Sequence, residues 1–242
     1  MIAIISDIHG NQDALSSVLE DIQKSEISNI WCLGDMVGYG AEPSQCVDLI
    51  FKNCRRVVLG NHDVLAINGC NLNFLPEHVS SGILHARRTL TQTQREWLLS
   101  LPYSFQDQEA TAVHASLYKP DDFSYLASDE EAQSHFALQK TNISFVGHTH
   151  VPMMTLDTGT AIKWADSVES LIQLDKKIRY AVNVGSVGQP RDNNPKASYV
   201  TYNPLDYTIQ FRRVQYDITN AQRKISNANL SEINSKRLGF GR

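Results

Sequence analysis

The 242-residue chain has only four cysteines, Cys32, Cys46, Cys54 and Cys70, and no two of them form a CxxC pair. That is too sparse for a disulfide scaffold, so a reducing, cytoplasmic setting is expected. An uninterrupted apolar run of about 18 residues is also missing. The opening MIAIISDIHG carries no basic leader and reaches Asp7 and His9 after a handful of apolar residues, so it reads as neither a signal peptide nor a membrane span. Charge of one sign is lacking too: 22 Lys plus Arg face 26 Asp plus Glu, a formal charge of -4. Such a surface has no global attraction for nucleic acid or an anionic membrane and leaves room only for a local cationic site. There is no internal repeat and no low-complexity tract. What remains is a 42% hydrophobic chain long enough to bury roughly 70 to 75% of its extended surface, which favours a single compact domain over 1–242.

MIAIIS reads as a short buried strand with a helix behind it in GNQDALSSVLEDIQKS. IWCL at 30–33 is the next strand, a helix is expected near 43–53, and a third strand at 56–59 runs into Gly60. Three strand-then-polar-turn units, two of them separated by helices, favour a parallel α/β layer whose site lies beyond the strand ends. The stretch 64–102 breaks the rhythm and reads as a partly helical insertion or lid, irregular over 68–82 and helical over 90–102. A strand at 110–114, a helix in DEEAQSHFALQK and a strand-to-loop unit in ISFVGHTH follow. From 151 to 213, VPMMTL, TAIKWA, ESLIQL, RYAVNVG, ASYVTYN and YTIQFRRV suggest a mostly antiparallel second sheet, and DITNAQRKISNANL a final helix.

The polar insertions recur in one place. Asp7 and His9 follow the first strand, Asp35 the second, and Asn61, His62 and Asp63 the third; His114, His148 and His150 end or follow the later ones. Singly, each has a bland reading: Asp7 as a helix cap, His9 as a surface histidine, Asp35 and Asn61 as turn residues, His148 and His150 as turn histidines bonded to backbone, His114 as a satisfied core histidine, His62 as a support behind the site, Asp63 as a helix start. The pairs Asp7/His9 and His148/His150 could each point to one side of an extended segment. Loops beyond parallel strand ends converge, however, and here they would gather imidazole, carboxylate and amide donors at one point. Histidines 9, 114, 148 and 150 with Asp7, Asp35 and Asn61 exceed one tetrahedral shell and suit two ions that share a carboxylate. Two divalent ions outweigh two carboxylates and a hydroxide by about one positive charge, enough to attract phosphate to an acidic protein.

DIH (7–9), GD (34–35), GNHD (60–63), VH (113–114) and GHTH (147–150) together resemble the calcineurin-like metallophosphoesterase superfamily. GDMVGYG, LTQTQREWLLSLP and NVGSVGQPR look like its compact prokaryotic phosphodiesterase-like branch. The resemblance implies an α/β fold, a four-layer α/β/β/α sandwich of two mixed sheets with flanking helices. It also implies a binuclear centre: Asp7, His9, Asp35 and His150 for one ion, Asp35, Asn61, His114 and His148 for the other, with Asp35 bridging. Manganese is the leading metal, and Fe, Zn, Ni and Co also suit such N/O ligands. The implied activity is that of a metal-dependent phosphoesterase, in which a two-metal-activated hydroxide attacks phosphorus. Asp35 and His62 would be catalytic, His62 facing the substrate and offsetting charge on the leaving oxygen rather than binding metal. Asn61, His62, Tyr39, Gln189 and Arg191 would contact the substrate.

One departure bears on the substrate. Protein Ser/Thr phosphatases of the superfamily show GDxVDRG, whereas this chain has GDMVGYG, with Gly38 and Tyr39 in place of the Asp and Arg. Without that bidentate clamp a dianionic monoester loses most, so a phosphodiester is favoured. In NVGSVGQPR, Ser186, Gln189 and Arg191 either reach the phosphate or form a structural turn. Tyr39 either stacks on a substrate ring or packs its loop. The expected partner is a small phosphorylated molecule or phosphodiester; nucleic acid stays open as a diester but lacks a basic, aromatic groove, and oligomeric state is undetermined. The competing readings are a protein Ser/Thr or dinucleoside polyphosphate phosphatase, and a non-catalytic metal-stabilised scaffold or binding protein.

Overall fold

A computed structural model describes residues 1–242. Strands β1 (Ile2–Ile5), β2 (Asn29–Cys32) and β3 (Arg56–Val57) run parallel, connected through helices α1 (Gln12–Lys24) and α2 (Pro43–Asn53). Parallel neighbours need such crossovers. Helix α1 starts where Asn11 Oδ1 accepts the Ala14 N–H at 3.1 Å, and it buries Leu15, Val18 and Ile22 as one stripe. Helices α3 (Asn61–Ile67), α4 (Glu77–Thr89) and α5 (Gln92–Leu99) come next, then β4 (Ser104–Gln106), β5 (Thr111–Val113), α6 (Asp129–Leu138) and β6 (Ile143–Val146). The chain continues through β7 (Met153–Asp157), β8 (Ile162–Asp166), β9 (Leu171–Gln173), β10 (Arg179–Asn183), β11 (Ala197–Asn203) and β12 (Thr208–Val214). It ends in α7 (Ile218–Asn227) and α8 (Glu232–Phe240).

Two mixed six-stranded sheets result, ordered β3-β2-β1-β11-β12-β9 and β4-β5-β6-β10-β7-β8. The strands after residue 151 therefore do not form a sheet of their own, contrary to the expectation from sequence. Strands β9, β11 and β12 extend the first sheet, while β7, β8 and β10 complete the second. Burial explains the division. All of β1 is buried, so its free edge must be covered, and antiparallel β11 covers it in the register Ile2↔Tyr202 and Ile4↔Val200. The C-terminal helix is also two helices, because Asn229 turns left-handed at φ 53° between them. Helix α4 begins inside the stretch read as irregular.

Side-chain alternation builds the layers. Ala3, Ile5 and Cys32 face a helical layer with Leu15, Val18, Val47 and Ile50. Ile2, Ile4, Trp31 and Leu33 face the second sheet through Phe145, Ala112 and Val182. On that sheet's outer side Val113, Val146 and Ala181 meet Ala132 and Phe136 of α6. The fold is thus two mixed sheets flanked by helices, and no helix is long and apolar enough to cross a membrane.

Candidate metal centre

The residues of the five insertions meet beyond the ends of β1, β2, β5 and β6 and at the start of α3. The loops are laced together by backbone bonds that prolong the strand order. The Asp7 N–H donates to Gly34 O at 3.0 Å, His9 N–H to Asp35 O at 2.9 Å, and Gly147 N–H to His114 O at 2.8 Å. Gly188 N–H donates to Asp7 O at 2.9 Å, so the loop after β10 joins the bundle. Asp7, His9, Asp35, His148 and His150 all adopt left-handed backbone conformations, with φ of 55°, 49°, 52°, 67° and 62°. The members of each i, i+2 pair therefore converge through tight left-handed turns, not along an extended segment. Non-glycine residues in this region carry strain that the surrounding structure must hold. The loops also approach too closely for ordinary side chains: a Cβ on Gly60 would collide with the Asp35 carboxylate.

Each aspartate divides its oxygens between holding a loop and facing the centre. Asp7 Oδ2 accepts the His148 N–H at 3.0 Å, and Asp35 Oδ1 accepts the His62 N–H at 2.8 Å. Asp7 Oδ1 then lies 3.3 Å from His150 Nε2 and 3.7 Å from His9 Nε2. Asp35 Oδ2 lies 3.4 Å from His114 Nε2 and 3.6 Å from His9 Nε2. Three histidines are oriented by carbonyls that can only accept: His9 Nδ1 on Val37 O at 3.0 Å, His114 Nδ1 on Leu33 O at 2.7 Å and His150 Nδ1 on Gln189 O at 2.6 Å. When neutral, with the proton on Nδ1, each turns a bare Nε2 lone pair inward, the form a metal ion takes up. His148 uses the opposite edge, its Nδ1 lying 3.2 Å from His114 Nε2.

The ligand atoms of Asp7, His9 and His150 form one group within 4.8 Å and those of Asp35, His114 and His148 another; His9, Asp35 and His62 form a third that overlaps both. Asp7 Oδ1, Asn61 Oδ1 and His62 Nδ1 are buried without a hydrogen-bond partner. The two unpaired oxygens, Asp7 Oδ1 and Asn61 Oδ1, are acceptors that together with the inward-facing imidazoles fit a pair of divalent cations. The His62 ring lies 4.7 Å from that of His9 and 4.6 Å from that of Tyr39. It packs on Gly38, whose φ is +95° and whose missing side chain would overlap the imidazole. With His62 in this position, GDMVGYG has no room for the aspartate of GDxVDRG.

Burial favours a neutral His114, yet the carboxylates of Asp35 and Asp7 overturn that and lift it to about 9. Burial dominates at His62 and His148, which fall to about 3 and about 4. Burial opposes charge on Asp35 too, and His114 and His62 hold it well below the usual carboxylate range. A histidine raised above its ordinary 6.5 stabilises the fold fully below pH 6.5 and loses that contribution as pH climbs through its folded value, here about 9. Chelated protein should therefore melt at progressively lower temperature between pH 7 and 9. Metal-loaded protein should not, if a cation held by His114 Nε2 has already displaced its second proton. Thermal unfolding in a chelator at pH 7, 8 and 9 reads this, and an equal decline in chelated His114→Asn would discard the assignment.

Tyr39 packs its loop beside the centre, its ring 4.7 Å from that of His9. Arg191 lies over it, guanidinium carbon 5.6 Å from the ring centroid, with Nη2 3.2 Å from Tyr39 Oη and 3.0 Å from Gln189 Oε1. Ser186 braces the same loop by donating to Asp7 O and accepting the Gln189 N–H, both at 2.8 Å. Asp63 ties two insertions together: Oδ1 accepts the N–H groups of Met36 and Val37 at 2.9 and 3.2 Å, and Oδ2 accepts that of Gly60 at 3.1 Å. The sequence reading missed Asn234 of α8, which is fully buried and donates to Tyr39 O at 3.3 Å and to His78 O at 2.8 Å. Nothing local marks it, since its partners lie far away in the chain.

The sequence profile of the calcineurin-like phosphoesterase superfamily domain matches residues 1–205. The chain belongs to that superfamily. Uncharacterized protein MJ0912 of Methanocaldococcus jannaschii is 38% identical over 247 aligned residues, covering 100% of this chain and 98% of its own. The crystal structure of a metallophosphoesterase from Sphaerobacter thermophilus superposes with a TM-score of 0.88 at 34% identity, covering 100% of this chain and 98% of that one. Hypothetical protein PH1004 from Pyrococcus horikoshii OT3 shares the fold at a TM-score of 0.79 and 20% identity, covering 100% and 99%. The chain thus shares its whole length and compact fold with these bacterial and archaeal proteins. A symmetrical bis(5'-nucleosyl)-tetraphosphatase from Erwinia tasmaniensis matches over 64 residues only, at 38% identity, 25% of this chain and 23% of its own. Both metal groups fall inside the superfamily domain, and their donors suit a binuclear divalent centre.

Proposed function

We propose that this protein is a metal-dependent phosphodiesterase, with 1–242 acting as one domain. Support for the single domain comes from Ile83, Ala86, Leu90 and Leu98 of the 64–102 segment, which share a core with α1, α2 and β1. The observation that carries the activity is the convergence of inward-facing His9, His114 and His150 Nε2 atoms on two buried carboxylates. Asp7, His9, Asp35 and His150 would hold one cation, and Asp35, Asn61, His114 and His148 the other, Mn(II) being the leading choice. When bound, the pair supplies Lewis-acid polarisation of the phosphoryl group and a water made acidic enough to attack phosphorus. His62 presents its imidazole to the leaving oxygen, while Tyr39, Gln189 and Arg191 border the substrate on the His9 side. The buried Arg191 Nε and Gln189 Nε2 have no acceptor and are available to a phosphate oxygen.

Arg191 supports a diester over a monoester. Its Nη2 is already committed to Tyr39 and Gln189, so it offers no free two-nitrogen fork of the kind a dianionic monoester rewards. Chelated protein should hydrolyse neither bis-p-nitrophenyl phosphate nor p-nitrophenyl phosphate. Mn(II) should restore turnover with the higher kcat/KM on the diester. Metal-independent turnover refutes the metal-dependent mechanism, and a preference for the monoester refutes the diesterase. The local match to a bis(5'-nucleosyl)-tetraphosphatase supports a second reading, a dinucleoside polyphosphate phosphatase. Faster cleavage of diadenosine tetraphosphate than of any diester would favour it.

A further inference from the structure

An arc of aromatic rings borders the His114/His148 side of the centre, and none of the roles assigned so far uses them. Tyr125 stacks on His148 with centroids 4.4 Å apart and planes inclined by 29°. Phe123 meets His114 edge-on at 5.9 Å, and Tyr103 lies 5.9 Å from Phe123. These rings are not core. Tyr125 stays 51% exposed and Tyr103 38% exposed, so a large aromatic surface faces solvent against two candidate metal ligands.

The segment carrying Phe123 and Tyr125 is built rather than loose. At its start the Leu117 N–H donates to His135 Nδ1 at 3.2 Å, and His135 Nε2 is fixed in turn by Ser144 Oγ at 2.8 Å. At its end Leu126 is buried beside Phe136, and Ser128 caps α6 by accepting the Glu131 N–H at 3.3 Å. Between these anchors Phe123 is held at φ 53°, a left-handed conformation that a bulky side chain keeps only where its surroundings impose it. The strain aims an aromatic residue at His114, and strain of this kind concentrates at ligand-binding positions.

Resting on the phosphoester-hydrolase reading, we propose that this arc recognises a planar aromatic group on the part of the substrate that stays on phosphorus, opposite the leaving group that His62 faces, with Tyr125 as the residue that stacks on it. Aromatic stacking of a base tolerates different ring systems, so the arc selects for flatness rather than a hydrogen-bonding pattern. The substrate would lie across the centre between Arg191 and Tyr39 on the His9 side and Tyr125 on the His148 side.

The test uses full-length Mn(II)-loaded protein and three diesters that release the same p-nitrophenolate: thymidine 5'-(p-nitrophenyl phosphate), phenyl p-nitrophenyl phosphate and methyl p-nitrophenyl phosphate. The readout is the kcat/KM ratio of each aromatic ester to the methyl ester. We expect a ratio above about ten in the native protein and its collapse toward one in Tyr125→Ala, within the roughly 5- to 150-fold range that stacking contributes. Tyr125→Phe should keep the ratio, and elemental analysis shows whether either variant has lost metal. A larger ratio for the thymidine ester identifies a nucleobase reached through its sugar, and a larger one for the phenyl ester a ring close to phosphorus. A native ratio near one, or equal loss on all three esters in Tyr125→Ala, overturns the proposal. If loaded protein cleaves none of them, the hydrolase reading fails. Calorimetric binding of thymidine 5'-phosphate against methyl phosphate, in native protein and Tyr125→Ala, then decides the stacking role on its own.

Discussion

Replacing Asp35 with asparagine is expected to remove both cations and to lower phosphodiester turnover by about three orders of magnitude or more. Asp35 Oδ2 stands between His114 Nε2 at 3.4 Å and His9 Nε2 at 3.6 Å, so a single oxygen faces donors assigned to different ions. Asparagine preserves volume and keeps an oxygen for the His62 N–H that Asp35 Oδ1 accepts at 2.8 Å, which leaves the loop contact intact. What changes is the charge. Asp7 alone would then face four histidines, and a divalent pair would lose one of its two anionic partners in a buried site where charge is poorly screened. Elemental analysis and steady-state rates should therefore fall together, and the Asn variant should melt cooperatively in chelator like the chelated native protein. Retention of two ions per chain with a rate within tenfold of native would remove Asp35 from the bridging position.

The order and spacing of the insertions were legible because a polar residue just past a buried strand has few places to go. DIH after MIAIIS and GHTH after ISFV announce loops at one end of a sheet. The partnership of the later strands was not legible. Period-two alternation in ASYVTYN or RYAVNVG tells which faces are buried but is silent on which edge each strand joins, and β11 and β10 went to different sheets. Left-handed turns at Asp7, His9, His148 and His150 escaped notice for a related reason: none is a glycine, and their conformations are imposed by bonds from distant loops. Arg191 over Tyr39 and Asn234 under it are contacts across most of the chain length, visible only once the sheets are closed.

The second large effect concerns His62, where the structure leaves two roles in competition. Its ligand nitrogen groups with His9 and Asp35 within 4.8 Å, the spacing of a metal ligand, whereas the proposal drawn from the GNHD resemblance turns it to the substrate. Substitution with alanine is expected to leave metal content unchanged and to lower kcat by about 10² to 10⁴. Burial drives the imidazole down to about 3, so at neutral pH it carries a single proton. In the proposed role it would act first as an N–H donor to charge growing on the leaving oxygen, and a phosphate brought beside it would raise its affinity for a second proton. That mechanism predicts a dependence on the leaving group that a metal-ligand role does not. A p-nitrophenolate departs with little help, so His62→Ala should cost least there, while an alkoxide needs the proton and should suffer the full loss. A uniform decrease across leaving groups accompanied by the loss of an ion would instead place His62 among the ligands, with Asp35 and His9 as its partners.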